Sequence, residues 1–151
     1  MRALIQVADG AHVEVEDPDG TRRITGGFDG MGLVVLLGVT HGDDEAIAVK
    51  VATKIAQLRI LPGERSALQA GAPVLLVSQF TLYGDVRKGR RPSWSTAAPG
   101  PVSEPLYEEV GGVLRGLGLR VVTGEFGAHM RVSLTNEGPF TIWLDSADLP
   151  A

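Results

Sequence analysis

Nine residues from Met31 to Val39, MGLVVLLGV, run without a charged side chain, and no other stretch limits the fold as much. A short unbroken apolar run reads as a strand covered on both faces, because a strand with one wet face alternates apolar with polar side chains. The run is therefore placed at the centre of a sheet. Around it, residues 2 to 7, 11 to 16 and 21 to 25 alternate as shorter strands, with Asp17-Pro18-Asp19-Gly20 supplying turn chemistry between the last two. Gly26, Gly27 and Gly30 are read as a break before the central run.

After it, Asp43 or Asp44 is placed to cap a helix over residues 44 to 59, with Ile47, Val51, Ile55 and Leu58 on one face and Leu61-Pro62-Gly63 ending it. A second apolar strand follows from Pro73 to Phe80. Ser103 is expected to cap a second helix reaching residue 117, with Pro105 tolerated in the first turn and Leu106, Val110, Val113 and Leu117 facing inward. Three closing strands are expected at Leu119 to Thr123, Met130 to Thr135 and Phe140 to Asp145. This order fits an α+β fold: one compact domain over residues 1 to 151, a mixed or antiparallel, barrel-like sheet and two main helices. With 44% of 151 residues hydrophobic, the chain can build one core and has little room for a second domain.

Several kinds of chemistry lose support from composition. There is no cysteine, so disulfides and thiolate metal sites drop out. His12, His41 and His129 stand singly with no HExxH pair, so no metal site is expected. No GxSxG elbow, P-loop or GxGxxG fingerprint is present, and no cofactor is expected. No apolar run approaches the roughly 20 residues that cross a bilayer, and the start lacks a signal-peptide pattern, so the expectation is a cytoplasmic protein without membrane contact.

Three segments remain as candidates. The net charge is −4, yet Arg87, Lys88, Arg90 and Arg91 place four of the 14 basic residues in five positions, just before Trp94. Such a cluster is read either as a solvated loop or as a phosphate-binding segment. VSQFTL closes the second apolar strand with Ser78, Gln79, Phe80 and Thr81. Polar residues there fit a pattern turning to solvent. They also fit a site, in which backbone N–H groups leaving the sheet stabilise an oxyanion and Thr81 offers a hydroxyl. Third, Gly138-Pro139 sits between two alternating runs, where a tight hairpin would favour Asn-Gly or Asp-Gly.

VSQFTL and TNEGPFT, 57 residues apart at Gln79 and Asn136, resemble the paired signatures SQFTL and NxGPxT of the D-aminoacyl-tRNA deacylases. The likeness extends to MRALIQ, GLVVLLGV, KGRRPSWS and GEFGAHM. It implies a homodimer with sites at the subunit interface, acting on D-aminoacyl-tRNA and on misacylated glycine, as in glycyl-tRNA(Ala), with no DNA substrate. It implies that Ser78, Gln79, Phe80 and Thr81 form the catalytic segment, with N–H groups around Gln79 and Phe80 facing the oxyanion. Asn136, Gly138, Pro139 and Thr141 would form a Gly-cisPro element that enters the partner's pocket, where its carbonyls exclude an L side chain. Phe126 and Met130 match adenosine-binding positions, and Arg87, Lys88, Arg90 and Arg91 would meet tRNA phosphates. The family's substrate is understood to activate water through its own 2′-hydroxyl.

Two departures stand out. The family pattern has an arginine after its first glutamine, thought to brace the Gly-Pro element; here Val7 follows Gln6, leaving Arg2 as a substitute brace. His129 stands where an acidic or small residue is usual, and reads as a strand-end surface residue. The rival expectations are a related proofreading deacylase with a trans Gly-Pro and altered chirality selection, a non-catalytic tRNA-binding module, and a structural dimeric β protein.

Overall fold

The computed structural model describes residues 1 to 150. Five strands, β1 (Arg2–Glu16), β2 (Arg22–Gly38), β3 (Val74–Ser78), β4 (Val121–Thr123) and β5 (His129–Asp145), form one mixed sheet in the order β4-β3-β2-β1-β5. The β2–β1 and β1–β5 pairs are antiparallel, and β2–β3 and β3–β4 are parallel. The parallel pairs are crossed by helices α1 (Glu45–Gln57), α2 (Ala67–Ala70) and α3 (Gly100–Gly116). The architecture is thus α+β with two long helices, as the order of patterns predicts.

The central run does lie in the middle of the sheet. Leu33, Val35 and Leu37 enter a core shared with α1 and α3, while Val34 on the opposite face joins Val13, Phe28, Leu75 and Val77 in a second one. The sheet must curl over that second core, because only its own strands are there to cover it. β1 serves both cores: Ala3, Ile5 and Val7 face the helices, whereas Ala8, Ala11 and Val13 face the second core. A register shift between Asp9 and Ala11, with Gly10 at φ +80°, makes the change of face possible.

Boundaries differ from the sequence reading in one systematic way. Residues 2 to 7 and 11 to 16 are one strand, and 21 to 25 run on through the glycines into the central strand. Irregularities that read as breaks are bulges inside long paired strands, and the ladder on either side keeps the chain extended. Likewise Met130 to Thr135 and Phe140 to Asp145 are not a strand pair but parts of β5, both paired with β1. β3 stops at Ser78, and Phe80–Tyr83 forms a 3₁₀ turn rather than more strand.

The helix starts are explained by their caps. Asp44 accepts from the Ile47 N–H at 2.9 Å and caps α1. Asp43 instead accepts from the Met1 ammonium at 2.7 Å and the Thr40 N–H at 2.8 Å. α3 begins at Gly100, earlier than expected, because Ser103 does not cap it: the buried hydroxyl donates to the Pro99 carbonyl at 3.1 Å from within the first turn. α2, unforeseen, is held by a Ser66–Gln69 capping box.

Candidate active site

The candidate site starts where β3 leaves the sheet. The Gln79 N–H donates to the Leu37 carbonyl at 2.7 Å, so this group is the last rung of the β2–β3 ladder. This corrects the expectation that it is free for an oxyanion. The next two N–H groups, of Phe80 and Thr81, open the 3₁₀ turn and have no backbone acceptor among the described residues. A first turn leaves its donors unpaired by construction, so two adjacent N–H groups are available to an anion here.

The turn packs tightly on the end of β2. A Cβ on Gly38 would lie 2.9 Å from the Gln79 carbonyl oxygen and 3.2 Å from Leu82 Cβ, so only glycine admits this approach. From the other side Arg2 donates to the Leu82 carbonyl at 3.0 Å and to Asp145 Oδ2 at 2.8 Å, with its guanidinium 4.4 Å from the Tyr83 ring centre and 5.4 Å from that of Trp143. Burial works to raise the Asp145 pKa, but the Arg2 hydrogen bond and the Ala147 N–H outweigh it and hold the carboxyl below its ordinary value. Arg2 therefore secures the turn and the end of β5. Its hydrogen bonds within the chain go to Leu82 and Asp145 and not to Gly138 or Pro139.

Beside the turn lies a cavity of about 340 Å³ whose walls include Ser78, Gln79, Phe80, Tyr107, Phe126 and Met130. It joins the catalytic-segment residues to the two predicted adenosine-binding residues. Phe126 lies 5.7 Å from the Tyr107 ring, and both Phe126 and Met130 are half-buried, each packing on a core while presenting surface to the cavity. Burial pushes the Tyr107 phenol up to about 12, and its hydroxyl donates to the Leu76 carbonyl at 2.9 Å, which makes it a fixed wall rather than an acid. Thr81 stands outside the cavity wall, where its Oγ1 accepts from Gln79 Nε2 at 2.5 Å. Among the described residues no histidine or carboxylate pairs with that hydroxyl, so they supply no base to activate it as a nucleophile. His129 is exposed at the rim, as its strand-end position suggests. A wider depression of about 900 Å³, bordered by Asp9, His12, Asp29 and Arg120, contains none of the residues assigned to the site.

The basic loop is closed by a two-way backbone bridge between Asp85 and Ser93. Arg87 turns back onto Asp85, at 2.9 and 2.7 Å, and these hydrogen bonds hold the Asp85 carboxyl down at about 2. Lys88, Arg90 and Arg91 are exposed and have no hydrogen-bond or ion-pair partner among the described residues. The four cations expected to act together are thus three free ones and one committed to its own loop. Trp94 follows, packed edge-on against Phe80 with ring centres 5.4 Å apart.

Gly138-Pro139 lies on the other side of the molecule's sheet. Gln6 pairs with Thr141 but Ala8 pairs with Asn136, so four residues, 137 to 140, stand where a regular ladder has one. They form an exposed excursion from β5, and the Gly138-Pro139 peptide within it is cis. β5 and β3 are separated by β2 and β1, a distance of about 14 Å across the sheet at ~4.8 Å per step. One chain therefore does not bring Gly138-Pro139 to Gln79 and Thr81.

The model of the D-Tyr-tRNA(Tyr) deacylase family matches residues 4 to 145. This chain belongs to that family. Curated D-aminoacyl-tRNA deacylases of Micrococcus luteus and Kineococcus radiotolerans are 59% and 58% identical to it, covering 99% and 97% of this chain and 96% and 100% of their own lengths. Among solved structures, a c-Myc DNA unwinding element binding protein superposes with a TM-score of 0.85 at 32% identity over the whole of both chains. A probable eukaryotic D-amino acid tRNA deacylase shares the fold, with a TM-score of 0.79 at 19% identity over 95% of this chain and 97% of that one.

The deacylase motifs found from sequence thus fall into two separated groups, the cavity with its turn and the β5 excursion. Sequence reasoning did not find Gly38 or Tyr107 as supports of the first, nor Gln6 as a neighbour of the second. Strand register places Gly38 and Gln6 beside the motifs, and the packing of α3 on β3 places Tyr107.

Proposed function

We propose that this protein is a cytoplasmic, homodimeric D-aminoacyl-tRNA deacylase that hydrolyses the ester between a D-amino acid, or misplaced glycine, and the terminal adenosine of tRNA. The observation that carries the reading is the pairing of two unpaired N–H groups, at Phe80 and Thr81, with a cavity walled by Phe126 and Met130. The adenine occupies the cavity and the ester carbonyl meets the turn. Water adds to that carbonyl, the two N–H groups receive the oxyanion, and the bond to the ribose oxygen breaks as that oxygen takes a proton. The neighbouring 2′-hydroxyl of the substrate relays the water's proton, which accounts for a site without a histidine or carboxylate base and restricts the reaction to RNA.

Chirality is judged by a second copy. The exposed excursion carries Gly138 and Pro139 about 14 Å across the sheet from its own site, on an edge strand that also exposes Phe140 and Trp143. Donated to the partner's site, its carbonyls stand where an L side chain would project. An L ester is rejected by that conflict, while a D ester or glycine presents hydrogen there. Lys88, Arg90 and Arg91 hold acceptor-stem phosphates.

Purified protein incubated with D-Tyr-tRNA and L-Tyr-tRNA tests this directly. The expected result is hydrolysis of the D ester alone; binding without hydrolysis favours a tRNA-binding module, and hydrolysis of the L ester overturns the selection. Alanine at Lys88, Arg90 and Arg91 is expected to raise KM and flatten its salt dependence, with kcat unchanged. Alanine at Arg87 changes KM less, since Asp85 already takes that charge.

A further inference from the structure

We propose that Gln6 is a positioning residue for the Gly138-Pro139 excursion, acting through the direction in which the Thr141 hydroxyl donates. The inference rests on the deacylase reading above. The excursion leaves the ladder between Asn136 and Thr141, the last paired residues on either side, so residues 137 to 140 have no strand partner and their direction is set from the side chains at the base. Asn136 is one of these. Its Nδ2 donates to the Val7 carbonyl at 2.8 Å and to the Phe140 carbonyl at 3.2 Å, joining the adjoining strand to the far end of the excursion.

An amide that spends both N–H groups this way must keep its oxygen on the other side. There Oδ1 receives the Thr141 hydroxyl at 3.4 Å. A hydroxyl has one proton, and Thr141 can give it to Asn136 only if nothing else claims it. Gln6 Nε2 donates to the same Oγ1 at 3.2 Å. By arriving as a donor, Gln6 occupies a lone pair and leaves the proton for Asn136. The order Gln6, Thr141, Asn136, Val7 and Phe140 is therefore directional, and it starts from the residue just before Val7, where the family pattern's arginine is missing. Thr141 and Asn136 are exposed and Gln6 is half-buried, so the series adds little to stability; what it sets is the position of the excursion.

Gln6→Glu reverses the first link at nearly constant shape. The carboxylate accepts, the Thr141 proton turns to it, and Asn136 loses its donor. We expect the ratio of D-Tyr-tRNA to L-Tyr-tRNA hydrolysis and the kcat on the D ester to fall by about tenfold, the scale of one hydrogen bond. KM for the tRNA and Tm should stay unchanged. Thr141→Val should do the same, and the double variant should be no worse than Thr141→Val alone, because Gln6 acts only through that hydroxyl. Unchanged selection in Gln6→Glu, a double variant whose losses multiply, or a drop in Tm that accounts for the lost activity would each overturn the proposal. Nitrogen-15 spectra read the link without activity: the Asn136 side-chain amide signals should move in Gln6→Glu, and unmoved signals would overturn it. A wild-type protein inactive on the D ester while those signals move would instead defeat the deacylase reading.

Discussion

The turn after β3 and the excursion in β5 are both short departures from one sheet, and they are held in opposite ways. The turn is fixed by main chain and packing: a ladder bond to Leu37, the bare backbone of Gly38 beneath it and the Arg2 guanidinium over Tyr83. The excursion is exposed, and the hydrogen bonds at its base come from the side chains of Gln6, Asn136 and Thr141. One region is therefore part of the fold's stability, while the other is carried by it. The first arrangement suits the oxyanion role proposed for the Phe80 and Thr81 N–H groups, because an oxyanion site works by not moving. An element that enters another subunit, as proposed, needs the second.

The sharpest way to break this contrast is to add one methyl group to each region. Gly38→Ala should cost about 1–3 kcal/mol, since the new Cβ meets backbone that cannot swing aside. Its D-Tyr-tRNA hydrolysis should fall by about a hundredfold as the turn shifts. Thermal melting and single-turnover rates check both. Gly138→Ala should leave stability within about 0.5 kcal/mol, because among the described residues, its two chain neighbours aside, nothing lies within 4 Å of the new Cβ. If the excursion enters a partner's site, hydrolysis should nevertheless fall by about tenfold. A Gly138→Ala protein with full activity would show that the two regions do not meet.

The smallest effect concerns Arg2, which ties the turn to the end of β5. Arg2→Met should lower stability by about 1 kcal/mol at neutral pH, the value of a partly exposed pair with added hydrogen bonds. Asp145 has its pKa lowered in the folded state, so its contribution is complete above the unfolded carboxyl value of about 3.9 and is lost as pH falls through the folded value. The gap between wild type and Arg2→Met should therefore close on acidification. Denaturant unfolding at neutral and at strongly acid pH measures it, and a gap independent of pH would mean that Arg2 acts by stacking on Tyr83 and Trp143 instead.

Much of this was legible in the chain. MGLVVLLGV and the apolar stretch VLLV of β3 declare themselves because burial on both faces leaves no polar residue to place. The α1 face and its Asp44 cap follow from local rules that act within one turn. Motif pairs marked the turn after β3 and the excursion although neither has a local signature of function. Less legible were the joins. Residues 8 to 10 fall between two strand patterns and the glycines at 26, 27 and 30 read as a break, since a bulge and a chain stop use the same residue types and differ only in whether a partner strand continues. Gly138-Pro139 read as a corner between two strands for the same reason.

By itself, then, the sequence determined what is set by nearest neighbours along the chain: the apolar strands, the amphipathic helices, the residue types of the two motifs and the cluster of cations. Register and proximity were decided only by the folded chain. That Gln79 spends its N–H on Leu37, that Gln6 faces Thr141 and that Gly138 lies three strands from Ser78 all depend on which strand lies against which, and at what offset. Such contacts join residues far apart in the chain, and pairing through the whole sheet, not local preference, selects them.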